Sequence, residues 1–596
     1  MSTTPPPPQD PPPPQGAVPD AASGALDADP PIAAGAVDPG ADAPRLPPEL
    51  TDGPTLPLVE LLAAALVARG VRFAFGMPGG DVLSLIDALE RHGVRFILCR
   101  HEASAGAMAD AAFQRTGAPG LCVATLGPGA LQLLTGVAGA GLERSALVAI
   151  TGAPAIESRP QYTHQVLDQV ALYQPVTRRS VSLTEESGFL QVLTALAGLD
   201  RERPGPVHFD LPSDVADRPQ PAGLGSWLRR RSPRPAGPDA DALAAATAMI
   251  AAARRPVVLV GLGAVAPAAR EAAAVGLEAW AEAAGAPVLT TFRAKGALPE
   301  DHPLSAGAFG LSPVADALQQ RLIAQADLIL AVGLDPVELR SAWSPGWPAR
   351  TPVLSLDPWG QPDLQGAVTH LTGPIDALLD ALHPARPSAW TRGEIAAHRA
   401  ALDARFSDGD DGPATAVRAV QAGCPAGVLA AVDVGAHRIT LSHTWVCAAP
   451  GELLQSNGLC AMATALPMAI AMKLHEPGRP VIAVVGDGGL LMGLGELSLA
   501  AELGLDLVVV VFVDRSLSLI ALKQERLTDP LGRPVRSAGV ALRAPDFVGL
   551  TEALGGAGRR ARGAAAVEAA VRAAFAAGGL QLVAVEIDPA PYRAQM

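Results

Sequence analysis

Short apolar, largely β-branched runs alternate along this chain with Ala-rich stretches of helical period. Between about 55 and 215 the runs are VRFAFG (71–76), RFILC (95–99), LCVATLG (121–127) and ALVAITG (146–152), with helical patterns over 81–92 and 103–115. A second set begins near 240 with PVVLVGLG (256–263), followed by APVLTT (286–291), ADLILAVG (326–333) and TPVLSLD (351–357). The third set is GVLAAVD (427–433), RPVIAVVGD (479–487), LDLVVVVFVD (505–514) and LQLVAVEID (580–588). A short unbroken apolar run bounded by turn residues suits a strand buried on both faces, and strands that alternate with helices build parallel sheets covered on both sides. The pattern predicts an α/β protein with three doubly wound parallel-sheet domains. Their expected bounds are 51–220, 238–385 and 395–596, with a Pro/Arg/Gly-rich joint at 216–238 and a Pro-containing one at 384–390.

Residues 1–50 break the pattern. They are mostly Pro, Ala, Gly and Asp, with two PPPP runs. Such a segment buries too little apolar surface to offset its ordering entropy, so a disordered, locally polyproline-II tail is expected. Across the 596 residues, 49% are hydrophobic and 17% charged, which is ample for large cores. The net charge of -14, the lack of a long basic block and an aromatic content of 4% argue against a nucleic-acid interface. Cys99, Cys122, Cys424, Cys447 and Cys460 form no CxxC pair and are odd in number, so neither a disulfide framework nor a zinc ribbon fits. No run approaches the roughly 18 to 20 apolar residues of a membrane span. The N-terminus has no basic segment leading into an apolar one. A cytoplasmic protein with no membrane or nucleic-acid partner is expected.

The strongest chemical signal is VIAVVGDGG, which puts Asp487 at the carboxyl end of a strand, where open α/β sheets bind their ligands. Gly486, Gly488 and Gly489 permit close backbone approach to a phosphate, and Asp487 suits a hard cation. The next strand ends at Asp514, so parallel neighbours bring two carboxylates to one edge. Taken alone, the segment reads equally well as an ordinary glycine turn.

The combination of GDGG, a helix, an apolar strand and a polar residue at Asp514 resembles the thiamine diphosphate-binding motif. The likeness runs over about 55–590, in the domain order pyrimidine-binding, central, diphosphate-binding, as in the acetolactate synthase and pyruvate decarboxylase superfamily. It implies that Asp487, Asp514 and the carbonyl of Ser516 hold Mg²⁺. Most members have Asn where Asp514 stands, although catabolic-type acetolactate synthases share the Asp. DVGAH (433–437) resembles the second diphosphate contact, with Ala436 and His437 nearest the phosphates; by itself His437 reads as a structural histidine. CRHEASAGAMADA (99–111) resembles the catalytic-glutamate segment, with Glu102 on the carboxylate that protonates the cofactor's N1′. Without that match Glu102 is simply a favourable acid in a helix's first turn. GLCAMATALPMAIAM (458–472) resembles the segment that supports the bent cofactor, with Met462 at the large apolar position and Ala463 where the family has glycine. The central GLG is no complete GxGxxG, so FAD is carried only as an unsupported alternative.

The branch is read from two places. QYTHQVLDQ (161–169) carries His164 followed by Gln165, not the His pair of pyruvate-type decarboxylases; Gln165 and Asp168 match the synthase pattern. Those decarboxylases place a glutamate proton donor where this chain has Ile520. The synthases' acceptor-pocket Trp is replaced by Lys523. The resemblance implies a carboligase that decarboxylates a 2-oxo acid and adds the enamine to a second carbonyl, with Glu102, Gln165 and His164 catalytic. The alternatives are a 2-hydroxyacyl-CoA lyase, a 2-oxo acid decarboxylase, or a non-catalytic cofactor-binding subunit. A homodimer or homotetramer is implied.

Overall fold

Each of the three apolar sets forms a six-stranded, wholly parallel sheet in the computed structural model, which describes residues 55–199, 203–221, 237–238, 240–535 and 538–596. The tail expected over 1–50 and most of the joint expected over 216–238 lie outside these residues. The first sheet comprises β2 (Phe73–Met77), β3 (Arg95–Leu98), β4 (Gly120–Ala124), β5 (Leu147–Ala153), β6 (Arg179–Ser182) and β7 (Pro206–Pro212), in the order β3-β2-β4-β5-β7-β6. A short antiparallel pair, β1 (Thr55–Pro57) with β8 (Pro219–Pro221), lies beside it, so the joint begins later than 216.

The central sheet contains β9 (Pro256–Val260), β10 (Val288–Thr291), β11 (Ser305–Phe309), β12 (Leu328–Val332), β13 (Val353–Asp357) and β14 (Val368–Thr372), ordered β11-β10-β9-β12-β13-β14. The third contains β15 (Leu429–Val432), β16 (Leu453–Gln455), β17 (Val481–Gly486), β18 (Leu507–Val513), β19 (Ala557–Ala561) and β20 (Leu580–Glu586), ordered β16-β15-β17-β18-β20-β19. Counted from its own first strand, each outer sheet runs 2-1-3-4-6-5, whereas the central sheet has the dinucleotide-fold order 3-2-1-4-5-6. β18 lies between β17 and β20, with Val510 opposite both Val484 and Val583, and all of its residues are buried. Edge strands such as β14 (VTHLT) and β19 (AGRRA) are covered on fewer sides and carry a weaker apolar signal.

The first and third domains share one hydrophobic core, in which the Glu102–Thr116 and Ala465–His475 helices meet. Glu102–Thr116 also crosses the Pro128–Leu142 helix where both carry glycine: a Cβ on Gly106 would lie 2.6 Å from the Cα of Gly136. Arg144 ties the first domain to Asp335 of the central one at 2.8 Å. Glu300 of the central domain accepts the Cys447 N–H of the third at 2.8 Å. At the second joint, Trp390 donates to the Pro256 carbonyl at 2.9 Å, and the Arg392–Asp403 helix packs on β11, so chain near the expected start of the third domain is docked on the central one. No helix among the described residues is long and apolar enough to cross a membrane.

Candidate active site

In the third sheet the order reverses between β15 and β17, which opens a crevice at their carboxyl ends. Ala436, His437, Met462, Gly486, Asp487, Gly488, Gly489, Asp514 and Ser516, separated widely in sequence, all line one cavity of about 120 Å³ there. Asp487 accepts the N–H groups of Gly488 at 2.8 Å and Arg515 at 2.7 Å. Asp514 accepts from the Ser516 N–H at 3.1 Å and the Ser518 hydroxyl at 2.7 Å. Burial pushes both acids up, Asp514 to about 6, with the Asp487 charge adding to the effect. Among the described residues neither carboxylate has an Arg or Lys ion-pair partner. Two such acids facing one cavity are costly unless a cation joins them, and all-oxygen donors suit Mg²⁺.

His437 lies in the first turn of the Ala436–Thr444 helix. Burial, with Arg438 adjacent, lowers its pKa to about 3, so the imidazole is neutral. Its Nε2 is buried without a partner. A Cβ on Gly435 would lie 2.7 Å from the ring and one on Gly486 3.1 Å, so glycines make the room this ring occupies. An orphaned ring nitrogen at a helix start, in one cavity with two carboxylates that lack an ion-pair partner, fits a phosphate group held with a cation.

Met462 lines this cavity and also a larger one of about 540 Å³ between the first and third domains. Its loop is held by Asp433, a fully buried residue at the end of β15 that accepts the N–H groups of Ala463 at 2.9 Å and Thr464 at 3.0 Å. Asp433 also fills the space beside Gly489, where a Cβ would lie 2.0 Å from its carboxylate. In the sequence this role shows only as an acid at a strand end, within DVGAH. Ala463 has φ 65, a left-handed conformation that strains any residue with a Cβ. Ala463→Gly is therefore expected to stabilise the protein by about 1 kcal/mol, seen as a higher melting temperature; an unchanged or lower one would contradict the strain argument.

Glu102 opens its helix, with the His101 ring accepting the Ala103 N–H at 3.1 Å as the cap. It is 5% exposed, and a Cβ on Gly129 would lie 3.4 Å from its carboxylate. The carboxylate thus rests on the turn that follows β4, in the first sheet's crevice. Gln165 and His164 stand exposed on the loop before the Gln169–Tyr173 helix. Gln165 has φ 58, and its carbonyl oxygen would meet a Cβ on Gly127 at 2.7 Å, so this loop lies on the same turn as Glu102. Asp168 caps that helix by accepting the Ala171 N–H at 2.9 Å. Gln169, overlooked in the sequence, is the buried clamp: it accepts the Gly127 N–H at 2.7 Å and donates to Asp210 at 2.6 Å. Asp81 holds the other side of the turn through the Thr125 hydroxyl at 2.6 Å and the Leu126 N–H at 2.9 Å.

The lining of the diphosphate-type cavity runs from Val434 to Tyr592, so a single chain does not bring Glu102 into it. Beyond the metal-type loop, Ser518, Leu519 and Ile520 face the cavity without an acid among them. The central glycine turn does not fit a dinucleotide. The Leu262 N–H is taken at 2.9 Å by Glu338, which is buried in the crevice, and a Cβ on Gly261 would strike the Gly333 carbonyl at 2.7 Å.

Three family models match the chain in order: thiamine pyrophosphate enzyme N-terminal TPP binding domain over residues 57–172, central domain over 243–361, and C-terminal TPP binding domain over 433–585. A probable 2-ketoarginine decarboxylase of Pseudomonas aeruginosa is 32% identical over 89% of this chain and 94% of its own length. The catabolic acetolactate synthase of Raoultella terrigena is 31% identical over 89% and 94%, and the acetolactate synthase of Bacillus subtilis 30% over 89% and 93%. With the domain order, the paired crevices and these relatives in agreement, the chain belongs to the thiamine diphosphate-dependent enzymes, in the branch that includes acetolactate synthases and 2-oxo acid decarboxylases.

Proposed function

We propose that this chain is a thiamine diphosphate- and Mg²⁺-dependent carboligase of the acetolactate synthase type, joining a decarboxylated 2-oxo acid to a second carbonyl compound. When bound, thiamine diphosphate supplies the carbon nucleophile that breaks and makes the bond beside the substrate carbonyl. The protein's part follows from its residues. Asp487, Asp514 and the Ser516 carbonyl would hold Mg²⁺, Ala436 and His437 would face the phosphates, and Met462 would support the cofactor. Glu102 holds a proton at N1′ of the pyrimidine, which keeps the exocyclic nitrogen basic. His164 and Gln165 flank the substrate from the loop that lies on the turn against which Glu102 rests. A non-catalytic subunit would have no use for a buried carboxyl placed as Glu102 is.

The observation that carries carboligation over simple decarboxylation is Ile520: the cavity wall after the metal loop places an apolar side chain there and no carboxyl group. Without one, protonation and aldehyde release are slow, and a second carbonyl competes for the reactive carbon. The second reading, a 2-oxo acid decarboxylase, is favoured by similarity to the 2-ketoarginine decarboxylase. Product analysis after incubation with pyruvate, alone and with a panel of aldehydes and 2-oxo acids, separates them. A carbon–carbon coupled product is expected; aldehyde and CO₂ alone would favour the second reading.

The catalytic unit is proposed to be at least a homodimer, in which the first domain of one chain faces the third domain of its partner. The separation of Glu102 from the Asp487 cavity within one chain supports this. So do exposed apolar side chains close in sequence to each half-site, Leu98 and Leu131 on one side, Leu491 and Met492 on the other. Mixing Glu102→Gln chains with Asp487→Ala chains is expected to restore activity, since a mixed dimer has one site with neither lesion. Inactive heterodimers, verified by native mass spectrometry, would refute the shared site.

A further inference from the structure

The last residues of the chain complete the wall of the Asp487 cavity. After β20 the chain turns back into a one-turn helix, Tyr592–Gln595. Tyr592 lines the same cavity as His437, Asp487 and Asp514. It is 1% exposed, and its hydroxyl has no hydrogen-bond partner among the described residues. Its ring packs in a core cluster with Phe512 and Leu522, a task a phenylalanine would perform equally well. The hydroxyl is what packing leaves unexplained, since buried polar groups are nearly always paired. A phenol carries its proton at neutral pH, so this hydroxyl is able to donate.

The segment is also anchored to the elements that form the cavity. Gln595 accepts from the Thr440 hydroxyl at 2.8 Å, on the helix that begins with Ala436 and His437. Its amide donates to Asp408 at 3.0 Å. Arg526, just past the Ser518–Glu525 helix, donates to the carbonyl of Met596 at 2.7 Å. The tail of the chain is thus latched to both the phosphate side and the metal side of the cavity.

Resting on the reading that thiamine diphosphate and Mg²⁺ occupy this cavity, we propose that Tyr592 is a cofactor-binding residue whose hydroxyl donates a hydrogen bond to a diphosphate oxygen, held in place by the Gln595 and Met596 contacts. The test is Tyr592→Phe in the full chain, read by the melting temperature without cofactor and by calorimetric affinity for thiamine diphosphate at fixed Mg²⁺. Removing an unpaired buried hydroxyl should leave the cofactor-free melting temperature unchanged or higher. The same change should weaken cofactor binding about tenfold, because a charge-assisted hydrogen bond is lost. Gln595→Ala, which frees the latch, should weaken binding by a smaller factor. Unchanged affinity in Tyr592→Phe overturns the proposal, as does a lowered cofactor-free melting temperature, which would mark the hydroxyl as structural. A parent chain that fails to bind thiamine diphosphate refutes the underlying reading as well, whereas a binding parent beside an unaltered variant refutes Tyr592 alone.

Discussion

Glu102→Gln is expected to lower turnover by at least about 10²-fold, the usual weight of a positioned acid–base group, while changing cofactor affinity little. The side chain lies over Gly129 and is not among the residues that line the Asp487 cavity in its own chain, so the substitution leaves the proposed phosphate and metal contacts intact. Glutamine matches glutamate in shape and keeps a hydrogen bond to N1′, but it cannot hold the proton in the charge state that keeps the exocyclic nitrogen basic. The fold should survive. His101 still caps the helix, and losing an acid from a first turn costs at most about 1 kcal/mol. Steady-state rates give the first readout and calorimetry the second. Exchange of the cofactor's C2 hydrogen, followed by NMR, is the decisive third: a normal exchange rate in the variant would remove Glu102 from its assigned role.

Asp487→Ala is expected to weaken thiamine diphosphate binding steeply, by about 10²-fold or more at fixed Mg²⁺. Two effects combine. A carboxylate that lines the cavity with Asp514 is lost, so the proposed Mg²⁺ would lose one of its acidic ligands. The N–H groups of Gly488 and Arg515 also lose their acceptor, and these backbone positions shape the turn beside the phosphates. Asp487→Asn separates the two contributions, because it keeps an acceptor oxygen while removing the charge. Asp514→Asn should be tolerated, since one amide oxygen can still serve a cation. Calorimetric titration against Mg²⁺ and thiamine diphosphate makes the comparison. An Asp487→Ala protein with unchanged affinity would show that the cation is held elsewhere.

The amino-acid sequence by itself determined the layering of this protein. Runs such as Leu507–Val513 are apolar throughout because both faces of a parallel strand are covered, a constraint each run carries locally. It also marked the glycine turn between a strand end and the next helix, since Gly486, Asp487 and Gly488 are contiguous, and contiguity is visible in one dimension. Edge strands such as Val368–Thr372 were faint because one side is unpaired and the burial requirement relaxes. Tertiary structure alone decided what depends on partners distant along the chain. Asp433 becomes the anchor of the Met462 loop, and Gln169 the clamp of the Gly127 turn, only when packing brings backbone N–H groups to them. The common strand order of the two outer sheets and the delivery of Tyr592 to the Asp487 cavity are likewise properties of the assembled chain. The physical reason is that burial periodicity is encoded residue by residue, whereas a hydrogen-bond partner exists only after the layers have packed.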